Sequence, residues 1–256
     1  MSDAILGALL ESALRNPEVT VRALAPRLLP VVADQVVRNY VPPETLAALK
    51  RFSEAHAGKR DRFLSALRER QSGVYPIVGA KGSGKTAYAF ALAEHLDRPT
   101  YAANVAESTL PYWVEAVDVD DVGSLEPGAV VIVDDAGQVA SSRDYHSARA
   151  RALEDLVSVV RHRRLVLIST TTLSNLVHRS LLDGDALFLK PPSLFGVRAE
   201  RRELRDLLEI AAEAFAEYGG DRRRTIFAVS DDPPFTGLIS YDLPRGWSDE
   251  LSHNKS

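Results

Sequence analysis

A glycine-rich octapeptide, GAKGSGKT, occupies residues 79–86, between an apolar run and a segment with helical periodicity. Its spacing fits G-x-x-x-x-G-K-[ST], a pattern whose glycines allow backbone N–H groups to surround phosphate oxygens. In that pattern Lys85 reaches the β- and γ-phosphates, and the hydroxyl of Thr86 binds Mg²⁺. The pattern therefore predicts a nucleotide-binding loop made of Gly79, Ala80, Lys81, Gly82, Ser83, Gly84, Lys85, Thr86 and Ala87.

Two consecutive carboxylates end a second apolar run, AVVIVDD, at residues 129–135. Such a pair suits Mg²⁺-dependent hydrolysis. Asp134 would hold the metal, directly or through water, and Asp135 would orient and deprotonate the attacking water. Two acids at a strand end could also be solvated or cap a helix. The phosphate loop upstream favours the catalytic interpretation, which is that of a Walker B strand.

A third segment, DLVSVVRHRRLVLISTTT at 155–172, combines a basic helix end with a buried strand. A polar residue at the end of that strand, within Ser169–Thr172, could contact the γ-phosphate or the attacking water. Arg161 and Arg164 could act as arginine fingers on a neighbouring subunit's nucleotide, where they would stabilise transition-state charge. Their alternative role is a favourable interaction with the C-terminus of their own helix.

These segments lie within an alternation of predicted strands and helices that begins near residue 73. Continuous apolar runs indicate strands of a parallel sheet covered on both faces. The predicted strands are 74–78, 100–104, 129–133, 165–169 and 186–190. The predicted helices are 85–96, 147–162 and 198–217. A hairpin is predicted from 225–230 and 237–242, around Pro233 and Pro234. The order predicts a three-layer α/β core.

The strand pattern and the motifs together select ATP as the nucleotide. One predicted strand, 100–104, separates the phosphate-loop strand from the acidic strand along the chain, as in the additional-strand arrangement of motor ATPases. No N-K-x-D guanine-reading motif and no LSGGQ-like transporter motif occurs in the sequence. We therefore expect an Mg²⁺-dependent ATPase whose cofactors are ATP and Mg²⁺.

Composition and charge limit the class of protein. The 256 residues are 45% hydrophobic and 26% charged, enough apolar residues for a sizeable core. Cysteine is absent and no apolar run is long enough to span a bilayer, so we expect an intracellular soluble protein. Residues 1–70 carry 11 Lys/Arg against 8 Asp/Glu and the remainder 20 against 27. We predict a helical N-terminal extension over 1–70 and the ATPase domain over 71–256.

Four stretches resemble the HerA/FtsK superfamily of DNA-pumping ATPases, and within it the genome-packaging ATPases of membrane-containing double-stranded DNA viruses. GAKGSGKT and VVIVDD occur in many ATPases. VVRHRRLVLISTTT is similar to the superfamily segment in which a basic helix end precedes a strand closing on a Thr-Gln pair. LFLKPPSLFGVRAERRELRDLL is similar to the packaging group's strand, Lys-Pro turn and helix. The resemblance covers about residues 73–252 and implies a RecA-like core.

Two residues depart from that family pattern. Asp135 stands where much of the superfamily has Glu, so the base sits one methylene further back. Thr171 stands where Gln is common. We take Thr171 as a catalytic candidate, with the sensor role open among Thr170–Thr172.

Contact with DNA would come from loops that face a central channel. The candidate is SSRDYHSARAR at 141–151, which offers Arg143, Tyr145, Arg149 and Arg151. Lys/Arg contacts to phosphate carry no sequence information, which a translocase requires. A solvated loop is the alternative.

The resemblance implies an ATP-driven translocase of double-stranded DNA that packages a viral genome into a preformed capsid. It would assemble as a hexameric or pentameric ring and contact capsid-vertex or membrane proteins. Its location would be the host cytoplasm or a packaging vertex of the virion. The alternatives are a cellular or plasmid DNA translocase, a helicase-loader-type ATPase, a P-loop small-molecule kinase, and a non-enzymatic scaffold with a vestigial nucleotide site.

Overall fold

The computed structural model describes residues 58–136, 157–172, 184–191, 202–248 and 250–251. Of these, 58–62 and 216–221 belong to one compact unit, and the others belong to a second unit. Most of the predicted extension over 1–70 lies outside the described residues. Its predicted boundary with 71–256 therefore stays a prediction.

Eight short strands rich in β-branched and apolar residues build the core of the second unit. Their bounds are β1 Gly73–Val78, β2 Thr100–Ala103, β3 Val114–Ala116, β4 Val130–Val133, β5 Val166–Thr171, β6 Leu187–Leu189, β7 Thr225–Asp231 and β8 Pro234–Ser240. All five strands predicted from apolar runs are present, with ends within two residues of those expected. A further strand that was not predicted, β3, has only three residues, of which two are exposed.

The strands form one sheet in the order β3-β2-β4-β5-β1-β6-β7-β8. The pairs from β3 through β6 are all parallel, which confirms the predicted parallel sheet. The phosphate-loop strand β1 and the acidic strand β4 do not pair, because β5 lies between them and pairs with both. This order agrees with the additional-strand arrangement expected from the sequence.

Helices cover both faces of the sheet, as a three-layer α/β core requires. Their bounds are α1 58–69, α2 Lys85–Leu96, α3 157–163 and α4 Arg202–Glu217. Side chains of α1 and α2, such as Phe63 and Phe90, pack on the face that carries Ile77. Side chains of α3 and α4, such as Val160 and Leu208, pack on the opposite face. The predicted α/β fold class is therefore confirmed.

The end of the chain adds an antiparallel hairpin to this sheet. β7 pairs antiparallel with β6 on one side and with β8 on the other, in a register that joins Asp231 to Pro234. Pro234 is the first residue of the edge strand β8, a position where proline is tolerated. The predicted hairpin is confirmed, although its turn is shorter than expected. Among the described residues, no helix has the length and apolar character needed to cross a membrane.

Candidate active site

The glycine-rich loop runs from the end of β1 into α2 and leaves backbone donors available. Gly82 and Gly84 have φ of 73° and 91°, which glycine adopts without a steric penalty. Gly84 caps α2 without any side-chain hydrogen bond. The first N–H groups of a helix have no acceptor within it, and they carry the positive end of the helix dipole. The loop and helix start therefore form an anion site.

Two further side chains of the loop suit a phosphate ligand. The Ser83 hydroxyl is buried and has no hydrogen-bond partner within the described part of the chain. The ammonium of Lys85 donates to the carbonyl of Ala80 at 3.1 Å, so its side chain folds back across the loop. Burial lowers the pKa of Lys85, while the charges of Asp134 and Asp135 oppose that effect. A bound phosphate would give the Ser83 hydroxyl a partner and the Lys85 ammonium a second one.

Asp134 is the point at which three elements of the fold meet. Its carboxylate accepts hydrogen bonds from the hydroxyl of Thr86, at 3.0 and 3.2 Å, and from the hydroxyl of Thr170, at 2.7 Å. Burial raises the pKa of the Asp134 carboxyl, and the two hydroxyl donors oppose the rise. Side chains from β4, β5 and α2 therefore converge on one carboxylate.

The oxygens of Thr86 and Asp134 fit the requirements of Mg²⁺. Hard oxygen ligands at 2.0–2.1 Å in an octahedron lie about 2.9 Å from their neighbours. The 3.0 Å separation of Thr86 Oγ1 and Asp134 Oδ1 matches that spacing. A carboxylate and a hydroxyl beside a phosphate loop are thus the donor set that an Mg²⁺–nucleotide complex needs.

Asp135 and Asn104 occupy the same edge in unusual backbone conformations. Asp135 has φ of 47° and Asn104 has φ of 61°, which few residues other than glycine adopt. The Asp135 N–H donates to Thr170 Oγ1 at 2.9 Å, and the Asn104 amide donates to the Asp134 carbonyl at 2.7 Å. These bonds hold Asp135 beside the metal site. Asn104 was not singled out from sequence, although a polar residue just after a parallel strand is a signal for this edge.

The structure places Thr170, rather than Thr171, on Asp134. Successive side chains of a strand point to opposite faces of the sheet, so only one of these two threonines can lie on the same face as Asp134. The register pairs Val133 with Ser169, and the next residues, Asp134 and Thr170, are therefore neighbours. Thr171 is also buried, and its carbonyl accepts from the N–H of Gly79 at 3.2 Å. A catalytic role for Thr171 stays a prediction.

Arg161 and Arg164 lie at the opposite edge of the sheet from the phosphate loop. Both are exposed, and Arg164 has φ of 58° where the chain leaves α3. The Arg164 carbonyl accepts from Gly128, just before β4, at 2.8 Å. The six residues of β5 separate its two ends by about 17 Å, more than the length of an arginine side chain. Neither arginine can reach the phosphate loop of its own chain.

Comparison with known proteins agrees with this geometry. Residues 75–188 match the family model described as "ATPase family associated with various cellular activities (AAA)". No curated protein matches the sequence. The DNA-binding candidates Arg143, Tyr145, Arg149 and Arg151 lie outside the described residues.

Several solved structures are similar to this chain. The DNA-packaging ATPase B204 of Sulfolobus Turreted Icosahedral Virus has 14% identity and a TM-score of 0.45, over 66% of this chain and 97% of that chain. The genome packaging NTPase B204 of Sulfolobus turreted icosahedral virus 2, in complex with AMPPCP, has 14% identity and a TM-score of 0.48, over 68% and 100%. ATPases 2 and 3 of Thermomonospora curvata EccC have 12% identity and a TM-score of 0.47, over 69% of this chain and 38% of that chain. Two of these three structures are described as packaging ATPases.

The hydrogen bonds of Thr170 generate the first prediction. Thr170→Val keeps the shape of the side chain but removes the donor to Asp134 and the acceptor for the Asp135 N–H. A hydrogen bond to a charged group is worth about tenfold or more in an equilibrium or a rate. We expect ATP turnover to fall about tenfold or more while ATP binding, measured by calorimetry, stays within a few-fold. Thr171→Val is the matched control, and a larger loss in that variant would assign the sensor role to Thr171.

Proposed function

We propose that the chain is an Mg²⁺-dependent ATPase that translocates double-stranded DNA, with packaging of a viral genome into a preformed capsid as its biological task. The observation that carries the ATPase part is the convergence of the Thr86 and Thr170 hydroxyls on Asp134 beside the phosphate loop. The DNA part rests on the four sequence stretches that resemble packaging ATPases.

In this proposal each residue of the site has a defined task. Lys85 and the loop N–H groups bind the β- and γ-phosphates, while Thr86 and Asp134 hold the metal. Mg²⁺, when bound, neutralises charge that develops on the phosphate oxygens. Asp135 orients the attacking water and accepts its proton. Thr170 accepts from the Asp135 N–H and donates to the Asp134 carboxylate, so it fixes the positions of both residues.

Two substitutions test the hydrolytic assignment. Lys85→Ala should abolish turnover because it removes the contact to the β- and γ-phosphates. Asp135→Asn should retain ATP binding and stop hydrolysis, because an amide cannot accept the proton. Phosphate release and calorimetric ATP binding measure the two effects, with Lys59→Ala and Asp120→Asn as exposed matched controls. Undiminished turnover in Asp135→Asn would move the role of base to another acid.

A ring completes the site in this proposal. Arg161 and Arg164 are exposed at the edge opposite the phosphate loop, so they are positioned to serve the nucleotide of a neighbouring copy rather than their own. A head-to-tail contact that repeats and closes produces a ring. We propose a hexamer or a pentamer in which one of these arginines acts as the finger. Helix-dipole stabilisation is the alternative role for both.

Mixing of inactive variants tests action in trans. Arg161→Ala or Arg164→Ala should lower turnover by about 10³-fold if that arginine is the finger. When the arginine variant is mixed with Lys85→Ala chains, the mixed rings should regain activity, because some interfaces then join an intact loop to an intact arginine. A mixture of Lys85→Ala with Asp135→Asn is the control and should stay inactive, since every site then lacks one of its own residues. No recovery at any mixing ratio would exclude trans action by these arginines.

We place DNA in the channel of this ring, in contact with the 141–151 segment. The chain beyond residue 70 carries 20 basic against 27 acidic residues, so its phosphate contacts must be confined to a few positions. The segment follows Asp134 and Asp135 in the chain, so a shift of these residues on hydrolysis could move it. Capsid-vertex or membrane proteins would be further partners. The host cytoplasm and a packaging vertex of the virion are the proposed locations.

A triple substitution tests this DNA contact. Replacing Arg143, Arg149 and Arg151 by Ala should weaken binding equally for all DNA sequences. It should flatten the salt slope by up to about 3 units, one for each lost phosphate contact. DNA-stimulated ATPase should fall while basal ATPase stays. Lys59, Arg60 and Arg62 replaced together form the charge-matched control. If the salt slope of DNA binding flattens in the control variant and stays unchanged in the triple variant, the DNA contact lies in the basic N-terminal region.

A further inference from the structure

A second lysine, Lys190, lies directly behind the glycine-rich loop. It follows β6 and is fully buried. A Cβ atom built on Gly79 would overlap the Cβ of Lys190, and one built on Gly84 would lie 3.3 Å from the Lys190 ammonium. The loop can approach this side chain so closely only because both of its contact residues are glycines.

The Lys190 ammonium joins the loop to the C-terminal hairpin. Its three N–H donors have three oxygen neighbours: the Arg223 carbonyl at 2.8 Å, the Thr225 carbonyl at 3.0 Å and the Tyr241 hydroxyl at 2.6 Å. The ammonium also lies 4.5 Å from the centre of the Tyr241 ring. A buried ammonium is tolerated when its donors are satisfied in this way. Lys190 therefore fixes Tyr241 in place.

The Tyr241 hydroxyl contacts the loop itself. Its oxygen lies 3.1 Å from the Gly84 carbonyl and 2.8 Å from the Arg223 carbonyl. Because the phenol accepts from Lys190, its single proton remains to be donated. Both carbonyls lie within hydrogen-bond distance of the hydroxyl, so the Arg223 carbonyl, which also accepts from Lys190, shares this proton with the carbonyl of Gly84. That carbonyl also accepts from the N–H of Tyr88 at 3.1 Å, the first hydrogen bond of α2.

The Gly84 carbonyl sets the direction of the next N–H group. A peptide unit is planar and trans, so the carbonyl of Gly84 and the N–H of Lys85 point in opposite directions. The hydrogen bonds from the Tyr241 hydroxyl and the Tyr88 N–H hold this carbonyl on the side of α2 and the hairpin, so the Lys85 N–H points the other way, toward the loop. This N–H is among those without an acceptor in α2.

We propose that Tyr241 is a positioning residue of the phosphate loop and that it favours nucleotides with a β-phosphate. Lys190 holds the Tyr241 hydroxyl, and that hydroxyl orients the Gly84–Lys85 peptide toward the β-phosphate of a nucleoside di- or triphosphate. The inference rests on the proposed function, since it requires a nucleotide at the loop. It adds to that function a physical link from the β7–β8 hairpin to the phosphate site.

Tyr241→Phe tests the link with little disturbance of packing. The variant removes the hydroxyl but keeps the ring, which packs 5.0 Å from Tyr88 and faces Lys190. We expect ADP to bind about three- to tenfold more weakly, the effect of one net hydrogen bond. AMP, which lacks a β-phosphate, should bind within twofold of wild type. Isothermal titration calorimetry measures the affinity for ADP and for AMP, and circular dichroism checks that the variant is folded.

Tyr101→Phe is the matched control, because it removes a phenol that bonds Glu126 instead of the loop. It should bind both nucleotides as wild type does. Lys190→Met should produce the same loss for ADP as Tyr241→Phe, and if that variant fails to fold, Tyr241→Phe decides alone. Unchanged ADP affinity in Tyr241→Phe, or an equal loss for ADP and AMP, would overturn the inference. A wild-type chain that binds neither nucleotide would overturn the proposed function as well.

Discussion

The parallel pairing of β5 with both β1 and β4 is the constraint on which the rest of the site depends. Parallel strands end at the same edge of a sheet, so these two pairings place the phosphate loop that follows β1 close to the acids that follow β4. A slip of one residue in the β4–β5 register would turn Thr170 away from Asp134, because side chains alternate between faces. All three strands are buried along their whole length, so a slip would also disturb the packing on both faces of the sheet.

Two of the four non-glycine residues with positive φ in the described part of the chain lie at that same edge, and the other two, Asp97 and Arg164, follow helices. Gly82 and Gly84 take positive φ at no cost, but Asn104 and Asp135 take it as residues with a Cβ atom. Each such residue costs about 1–3 kcal/mol, which the surrounding contacts must offset. The hydrogen bonds of both residues run to the β4–β5 pair. Part of the backbone strain therefore lies at the edge that carries the candidate site.

Local sequence signals were sufficient for the elements, and insufficient for the contacts between them. The apolar runs of β1 and β4 and the glycine spacing of the loop are short-range patterns, and each predicted its element. β3 escaped because three residues, two of them exposed, form no pattern. The choice of Thr170 over Thr171 depends on a register that no local pattern encodes. Lys190 and Tyr241 are 51 positions apart in the chain, and only the folded sheet brings them together.

The carboxyl and amino ends of the parallel strands carry different residues of the proposed motor. The carboxyl edge holds Lys85, Asp134 and Asp135, the residues proposed to bind the nucleotide and activate water. The exposed Arg161 and Arg164 lie at the amino edge, about the length of β5 away. No rearrangement that preserves the buried strand β5 could bring these arginines to their own loop. If an arginine finger is required, the rigid core itself therefore makes hydrolysis depend on a neighbouring chain. That dependence would let each subunit hydrolyse ATP only when its neighbour is docked, which a motor that acts in sequence around a ring needs.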